Sequence, residues 1–145
     1  MRVVLQTETT DRWIRHLSPS DAQQPRLLLV DALWEDDSGE IRGAYFSLVR
    51  WPVDMARAVR PLPDRIVDVD EEDVEECGVV PLEALTLLRR WVERSAIVEC
   101  EDVSKDMGAV DQACTLLGLP TIEWPLATSF LGEVVLTGAQ RRRLG

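Results

Sequence analysis

Val80 to Pro125 reads VPLEALTLLRRWVERSAIVECEDVSKDMGAVDQACTLLGLPTIEWP, and the fold turns on whether this stretch is a helix–strand–helix–strand unit. Pro81 suits the first turn of a helix, where its missing N–H costs nothing. Leu82, Leu85, Leu88 and Val92 then form one stripe, widened by Ala84, Leu87 and Trp91, while Glu83, Arg89, Arg90, Glu93 and Arg94 lie off it. Ala96–Cys100 has the short apolar character of a buried strand. Ser104 is a candidate N-cap, with Asp106 near the positive helix end. Met107, Val110, Cys114 and Leu117 keep helical spacing. Gly118 suits C′, Leu119 the C″ contact, and Pro120 blocks continuation. Thr121–Trp124 is the next expected strand. A helix between two strands makes a βαβ unit, for which a right-handed parallel crossover is the rule.

Working outward, the apolar runs Leu27–Trp34 and Ile41–Val49 flank Asp36-Asp37-Ser38-Gly39-Glu40, which is a hairpin signature. Val3–Leu5 reads as a short strand. Thr9-Thr10-Asp11 is expected to cap a short helix through His16 or Leu17, and residues 18–25 form a loop. Pro52 opens a short expected helix, PVDMARAVR, ended by Pro61 and Pro63. Arg65–Val69 reads as a strand. Residues 126–136 fit helix by Leu126, Phe130, Leu131 and Val134, but Gly132 and the pair Val134-Val135 favour strand. Thr137 and Gln140 have capping-box spacing for a last short helix. The expected fold is a single α/β domain over residues 1–145. An antiparallel hairpin region joins a parallel βαβ half, with helices packed on a mixed sheet and a short basic end at 137–145.

Composition bounds the function. The 145 residues are 46% hydrophobic and 29% charged, as in globular domains, and need no disulfide or metal staple. No apolar run reaches membrane-spanning length, and the N-terminal segment lacks the shape of a signal peptide. Cys77, Cys100 and Cys114 are odd in number and widely spaced, so neither a zinc knuckle nor a disulfide framework is indicated. Cys100 and Cys114 read as small core residues, and a reducing, cytoplasmic setting is the expectation. The net charge is −10, unevenly placed: residues 1–67 hold nine Lys/Arg against ten Asp/Glu, and residues 68–145 hold seven against sixteen. Such a field disfavours nucleic acid and attracts basic proteins or cations.

Few residues suggest catalysis. His16 is the one histidine, and a surface role is its expected one. No GxGxxG or GxxxxGK[ST] sequence is present, so a glycine-rich phosphate loop has no support. Carboxylates remain. Ligands of open α/β sheets sit beyond the carboxyl ends of parallel strands, where Asp68 and Asp70 close one expected strand and Glu99, Glu101 and Asp102 another. Asp31 falls inside the first hairpin strand, where a charge is costly unless paired or metal-bound. Hard cations such as Mg²⁺ or Mn²⁺ take a few oxygen ligands of this kind, which would make two-metal phosphoryl transfer possible.

The order hairpin, helix, strand, helix, strand resembles the RNase H-like fold, and Val80–Pro125 is similar in pattern to the middle of RuvC-type nucleases. The resemblance covers about a third of the chain. It implies a nuclease in which Glu99 is the metal-binding glutamate and Asp31 the first-strand aspartate, and with Asp68 these make the candidate catalytic and metal-binding set for Mg²⁺ or Mn²⁺. The sequence departs from the family in two places. The family's acidic residues on a later helix have no counterpart after Arg143, and Ala32-Leu33-Trp34 stands where the family has a Gly-rich turn.

The most acidic stretch is VDVDEEDVEE, Val67–Glu76, with seven carboxylates in ten residues. It lacks the glycine and the terminal glutamate spacing of a calcium loop. It reads either as a solvated acidic loop or as a partner surface built from Asp68, Asp70, Glu71, Glu72, Asp73, Glu75 and Glu76. The reading preferred from sequence is a non-catalytic acidic module that engages a basic macromolecular partner. An inhibitor, an immunity factor and an adaptor all fit that description. Arg42, Arg50, Arg57, Arg60 and Arg65 with Trp51 form a second candidate surface, although exposed arginines beside a core tryptophan explain them as well. Arg141, Arg142 and Arg143 are an anion-binding or frayed end.

Overall fold

The computed structural model describes residues 1–132, 134 and 135. Six strands and three helices follow one another as β1 (Arg2–Thr9), β2 (Leu27–Glu35), β3 (Ile41–Leu48), α1 (Glu71–Cys77), α2 (Pro81–Glu93), β4 (Ile97–Cys100), α3 (Val103–Leu116), β5 (Leu126–Ser129) and β6 (Val134–Val135). The sheet order is β3-β2-β1-β4-β5-β6. β1, β2 and β3 pair antiparallel, β4 runs parallel to both β1 and β5, and β6 returns antiparallel on β5. The fold is thus the expected α/β mixture, with an antiparallel hairpin region joined to a parallel βαβ half.

Alternation along the strands sorts residues by face. Val3, Leu5, Val30, Ala32, Val98, Cys100 and Ala127 point to one side and are buried under α2 and α3. From α2 come Ala84, Leu85, Leu88, Trp91 and Val92, and from α3 Met107, Val110, Ala113 and Cys114. Leu82 leaves the expected stripe and is exposed. Trp91 stacks on Trp34 with ring centroids 5.8 Å apart. Gly43 allows this approach, since a Cβ there would meet the Trp91 ring at 2.8 Å. The opposite face carries Val4, Gln6, Asp31, Leu33, Ala44, Phe46, Ile97 and Glu99, none of them buried.

The hairpin forms as its turn chemistry dictates. The Asp36 carboxylate accepts from the Ser38 N–H and hydroxyl, the Glu40 N–H and Arg42 Nε. These bonds, led by that from the Ser38 hydroxyl, hold its pKa down to about 2. Gly39 supplies the positive φ of 85°. α3 ends as expected, with Gly118 at φ 67°, its N–H on Thr115 O, and Leu119 N–H on Cys114 O.

Several local expectations fail for identifiable reasons. No helix follows Thr9: β1 extends through it, Thr10 N–H bonds Arg26 O, and the Gln24 side-chain amide bonds both the N–H and C=O of Ile14. The segment after Pro52 makes one turn and stops. Arg26 Nε takes the Met55 carbonyl, and the Val59 N–H goes to Glu71 instead. Arg65–Val69 joins no ladder, because Ile66 N–H is bound by the Glu8 side chain and Arg65 turns back on Leu62. Asp102, not Ser104, caps α3, accepting from the Lys105 N–H at 3.2 Å. The strand expected at Thr121–Trp124 begins after Pro125, which has no N–H for the ladder, and residues 126–129 and 134–135 are strand. The helix expected at Thr137–Gln140 and the basic end 137–145 lie outside the described residues.

Candidate functional site

Two sites come from the sequence and a third from the sheet topology. The acidic stretch is not a loop: Glu71–Cys77 is a helix with no buried residue. Asp70 is its N-cap, accepting from the Asp73 N–H at 2.9 Å, while the Asp73 carboxylate accepts from the Asp70 N–H at 3.0 Å. This capping box, with Glu71, Glu72 and Asp73 at the positive helix end, explains how so acidic a segment stays helical. The helix hangs from the end of β3, where Val79 pairs with Val49 and the Gly78 N–H bonds Val74 O. Asp68, Asp70, Glu71, Glu72, Asp73, Glu75 and Glu76 are all exposed. Among the described residues no arginine or lysine forms an ion pair with any of them.

The set Asp31, Asp68 and Glu99 is dispersed. Asp31 lies on β2 opposite Gln6, and Glu99 lies on β4 opposite Val4. Both point to the open face with β1 between them. Two strand spacings and two residues of rise put their Cα atoms about 12 Å apart. Glu99 is engaged by Arg2 at 3.3 Å, and Arg2 also binds Glu35 at 2.5 Å. Burial raises the pKa of Asp31. Asp68 lies in an exposed connection before α1. The strand between β2 and β4 is β1. Its open-face residues Val4 and Gln6 include no aspartate, and Asp31 falls one strand further out. Among the described residues no three His, Cys, Asp or Glu side chains are gathered as ligands for a metal ion.

The third site lies beyond the carboxyl ends of β1 and β4. The chain leaves β1 toward β2 and leaves β4 toward β5, so this is a topological switch point. A cleft of about 430 Å³ opens there, lined among others by Glu8, Arg12, Arg15, Asp64, Asp102 and Lys105. Six of its charges cancel in pairs, Arg15 with Asp102, Arg12 with Asp64 at 3.5 Å, and Lys105 with Glu8 at 3.9 Å, which leaves Glu101, whose carboxylate accepts from the neutral Gln6 Nε2 at 2.5 Å. Behind it Asp106 is fully buried and accepts from Thr7 N–H (3.0 Å), Thr7 Oγ1 (2.5 Å) and Asp102 N–H (3.0 Å). Desolvation lifts its pKa to about 6 against these bonds. Asp106 therefore ties α3 to β1, and the cleft offers a ligand one carboxylate outside an ion pair, Glu101. Sequence reading passed over Glu8 and gave Asp106 only a place near the positive helix end. The signal available was the Asp102–Asp106 spacing, which lets the second carboxylate reach back to the cap residue's N–H.

His16 is exposed, as expected. Cys100 and Cys114 are buried and Cys77 exposed, all three as free thiols. Among the described residues no helix is long and apolar enough to cross a membrane. No protein-family model and no curated protein matches this sequence.

Proposed function

We propose that this protein is a non-catalytic binding module whose acidic face, built on α1 and its cap, engages a basic macromolecular partner, as an inhibitor, immunity factor or adaptor does. The observation that carries the reading is the state of the seven carboxylates from Asp68 to Glu76: all are exposed, and none is ion-paired among the described residues. Elsewhere among the described residues several acids are matched with arginines, as in Arg2–Glu35, Arg15–Asp102 and Arg42–Asp36, and the unmatched ones, such as Asp21, Asp54 and Glu83, are scattered singly along the chain. Unmatched charge on one short helix destabilises the free chain slightly and favours association with opposite charge. The mechanism is electrostatic steering followed by charge-assisted hydrogen bonds. Its test is capture of partners at low salt by the wild type and by Glu72→Gln/Glu75→Gln/Glu76→Gln. A basic protein held by the wild type and lost by the variant supports the reading. A partner held equally by both would discard it.

The element order favours a second reading. Hairpin, helix, strand, helix and strand run in succession, with β4 parallel to β1 and β5, which suits a divalent-metal phosphoryl-transfer enzyme of RNase H-like type using Asp31, Asp68 and Glu99. A ligand bound only by the folded state raises the melting midpoint. Under this second reading Mn²⁺ raises the midpoint of wild type and not of Glu99→Gln at matched ionic strength. No shift in either protein supports the binding module.

A further inference from the structure

The acidic helix forms one wall of an apolar cleft. Between α1 and the segment that leaves β3 lies a depression of about 390 Å³, within the range of roughly 300–1,000 Å³ that binding pockets occupy. Its apolar lining includes Val49, Trp51, Val53, Val59 and Val74. Trp51 is held in place by its Nε1–H on Leu27 O at 2.8 Å. The Glu71 carboxylate accepts from the Val59 N–H across the cleft at 3.3 Å, which joins its two walls. Val53 stands 96% exposed at the mouth, where a lone valine gains nothing from folding. α1 turns Glu71, Val74 and Glu75 toward the cleft. The spacings of three and four residues put Val74 and Glu75 one turn on from Glu71, on either side of it on the same helical face.

We propose that this cleft takes an apolar anchor side chain from the basic partner, flanked in that partner by lysine or arginine residues that meet Glu71 and Glu75. The inference rests on the acidic-face reading and names what the face recognises: a basic segment with a central aliphatic residue. Charge selects that occupant. The acidic stretch beside the cleft carries seven carboxylates against the two arginines of its lining, Arg50 and Arg57, so the local balance favours a basic segment over an acidic or purely apolar one. Those two arginines keep their charge, but each directs a donor to a backbone carbonyl, Arg50 to Glu75 O at 3.1 Å and Arg57 to Ala22 O at 2.8 Å. Lysine and arginine stems lie along apolar surface while their heads reach charge, so such a segment fits both the floor and the rim.

The experiment uses three labelled peptides of equal length, followed by fluorescence anisotropy at one ionic strength. One is a lysine-rich peptide with a single central leucine, the second its leucine-to-serine analogue, and the third carries glutamate for lysine. Wild type is expected to hold the leucine peptide about tenfold more tightly than the serine analogue, the scale for burying one aliphatic side chain. Val53→Ser, at a fully exposed position, and Val74→Ser should both shrink that ratio. Glu72→Gln/Glu76→Gln should weaken both basic peptides alike and keep the ratio. Equal affinity of wild type for the two basic peptides overturns the cleft and leaves the acidic face standing. Binding of neither overturns both readings. Tighter binding of the glutamate peptide overturns both as well and assigns the cleft to Arg50 and Arg57.

Discussion

Replacing Asp106 by asparagine should change the pH dependence of stability more than stability itself. The carboxyl is fully buried where α3 meets β1, and burial raises its pKa to about 6, against an ordinary value of 3.8. A carboxyl whose folded pKa lies above its unfolded one binds its proton more tightly in the fold. Its contribution is therefore fully present below pH 4 and is lost as pH rises toward and past 6. Two pH units at about 1.4 kcal/mol each come to about 3 kcal/mol of stability lost by pH 7. Asparagine removes that loss and keeps an oxygen for Thr7 N–H and Oγ1. Its amide nitrogen, however, faces the Asp102 N–H, and leaving that donor unpaired costs about 1–3 kcal/mol. At pH 7 the two effects nearly cancel. At pH 4 only the cost remains, so the variant is the less stable protein there. The assay is urea unfolding of both proteins from pH 4 to 7. Asp111, also raised to about 6 by burial, is present in both and drops out of the difference. The variant should gain about 3 kcal/mol on the wild type across that range. A difference that stays flat with pH would refute the buried ionisation on which this reasoning depends.

Two further substitutions test the parts that hold the acidic face and the core. Asp70→Ala removes half of the α1 capping box and should cost about 1 kcal/mol. Because α1 buries no residue, the loss should appear as faster amide exchange in Glu71–Cys77 with little change in the global midpoint. Gly43→Ala should destabilise by about 1–3 kcal/mol in chemical denaturation, since its Cβ would stand 2.8 Å from the Trp91 ring.

The parts of the fold that sequence predicts well are those where periodicity and end signals agree. α2 and α3 have an apolar stripe and a stop, and the β2–β3 hairpin has an Asp–Gly loop between alternating runs. Three of the failures share one cause. At Ile14, Met55 and Ile66, a backbone group that local pattern assigns to a helix or strand is bound instead by a distant side chain, Gln24, Arg26 or Glu8. The partners lie 10, 29 and 58 residues apart in the chain, and hydrophobic periodicity carries no signal of such pairs. The acidic stretch erred the other way. Its Asp70–Asp73 spacing and first-turn acids were readable as a helix start, yet the density of charge suggested a loop. Of the candidate site, the exposure of the seven acids was foreseeable from composition. The wide separation of Asp31 and Glu99 depends on β1 lying between β2 and β4, which only the strand order reveals. The apolar cleft beside α1 was equally invisible, because Val49, Val59 and Val74 belong to different segments.

The central claim is that the acidic face of α1 steers a basic partner. Its most direct test is the association rate of a captured partner across a range of ionic strength, for the wild type and for Glu72→Gln/Glu75→Gln/Glu76→Gln. The account predicts a wild-type on-rate that falls at least tenfold from low to high salt, and a variant whose rate starts lower and declines less. A wild-type on-rate indifferent to salt would contradict it.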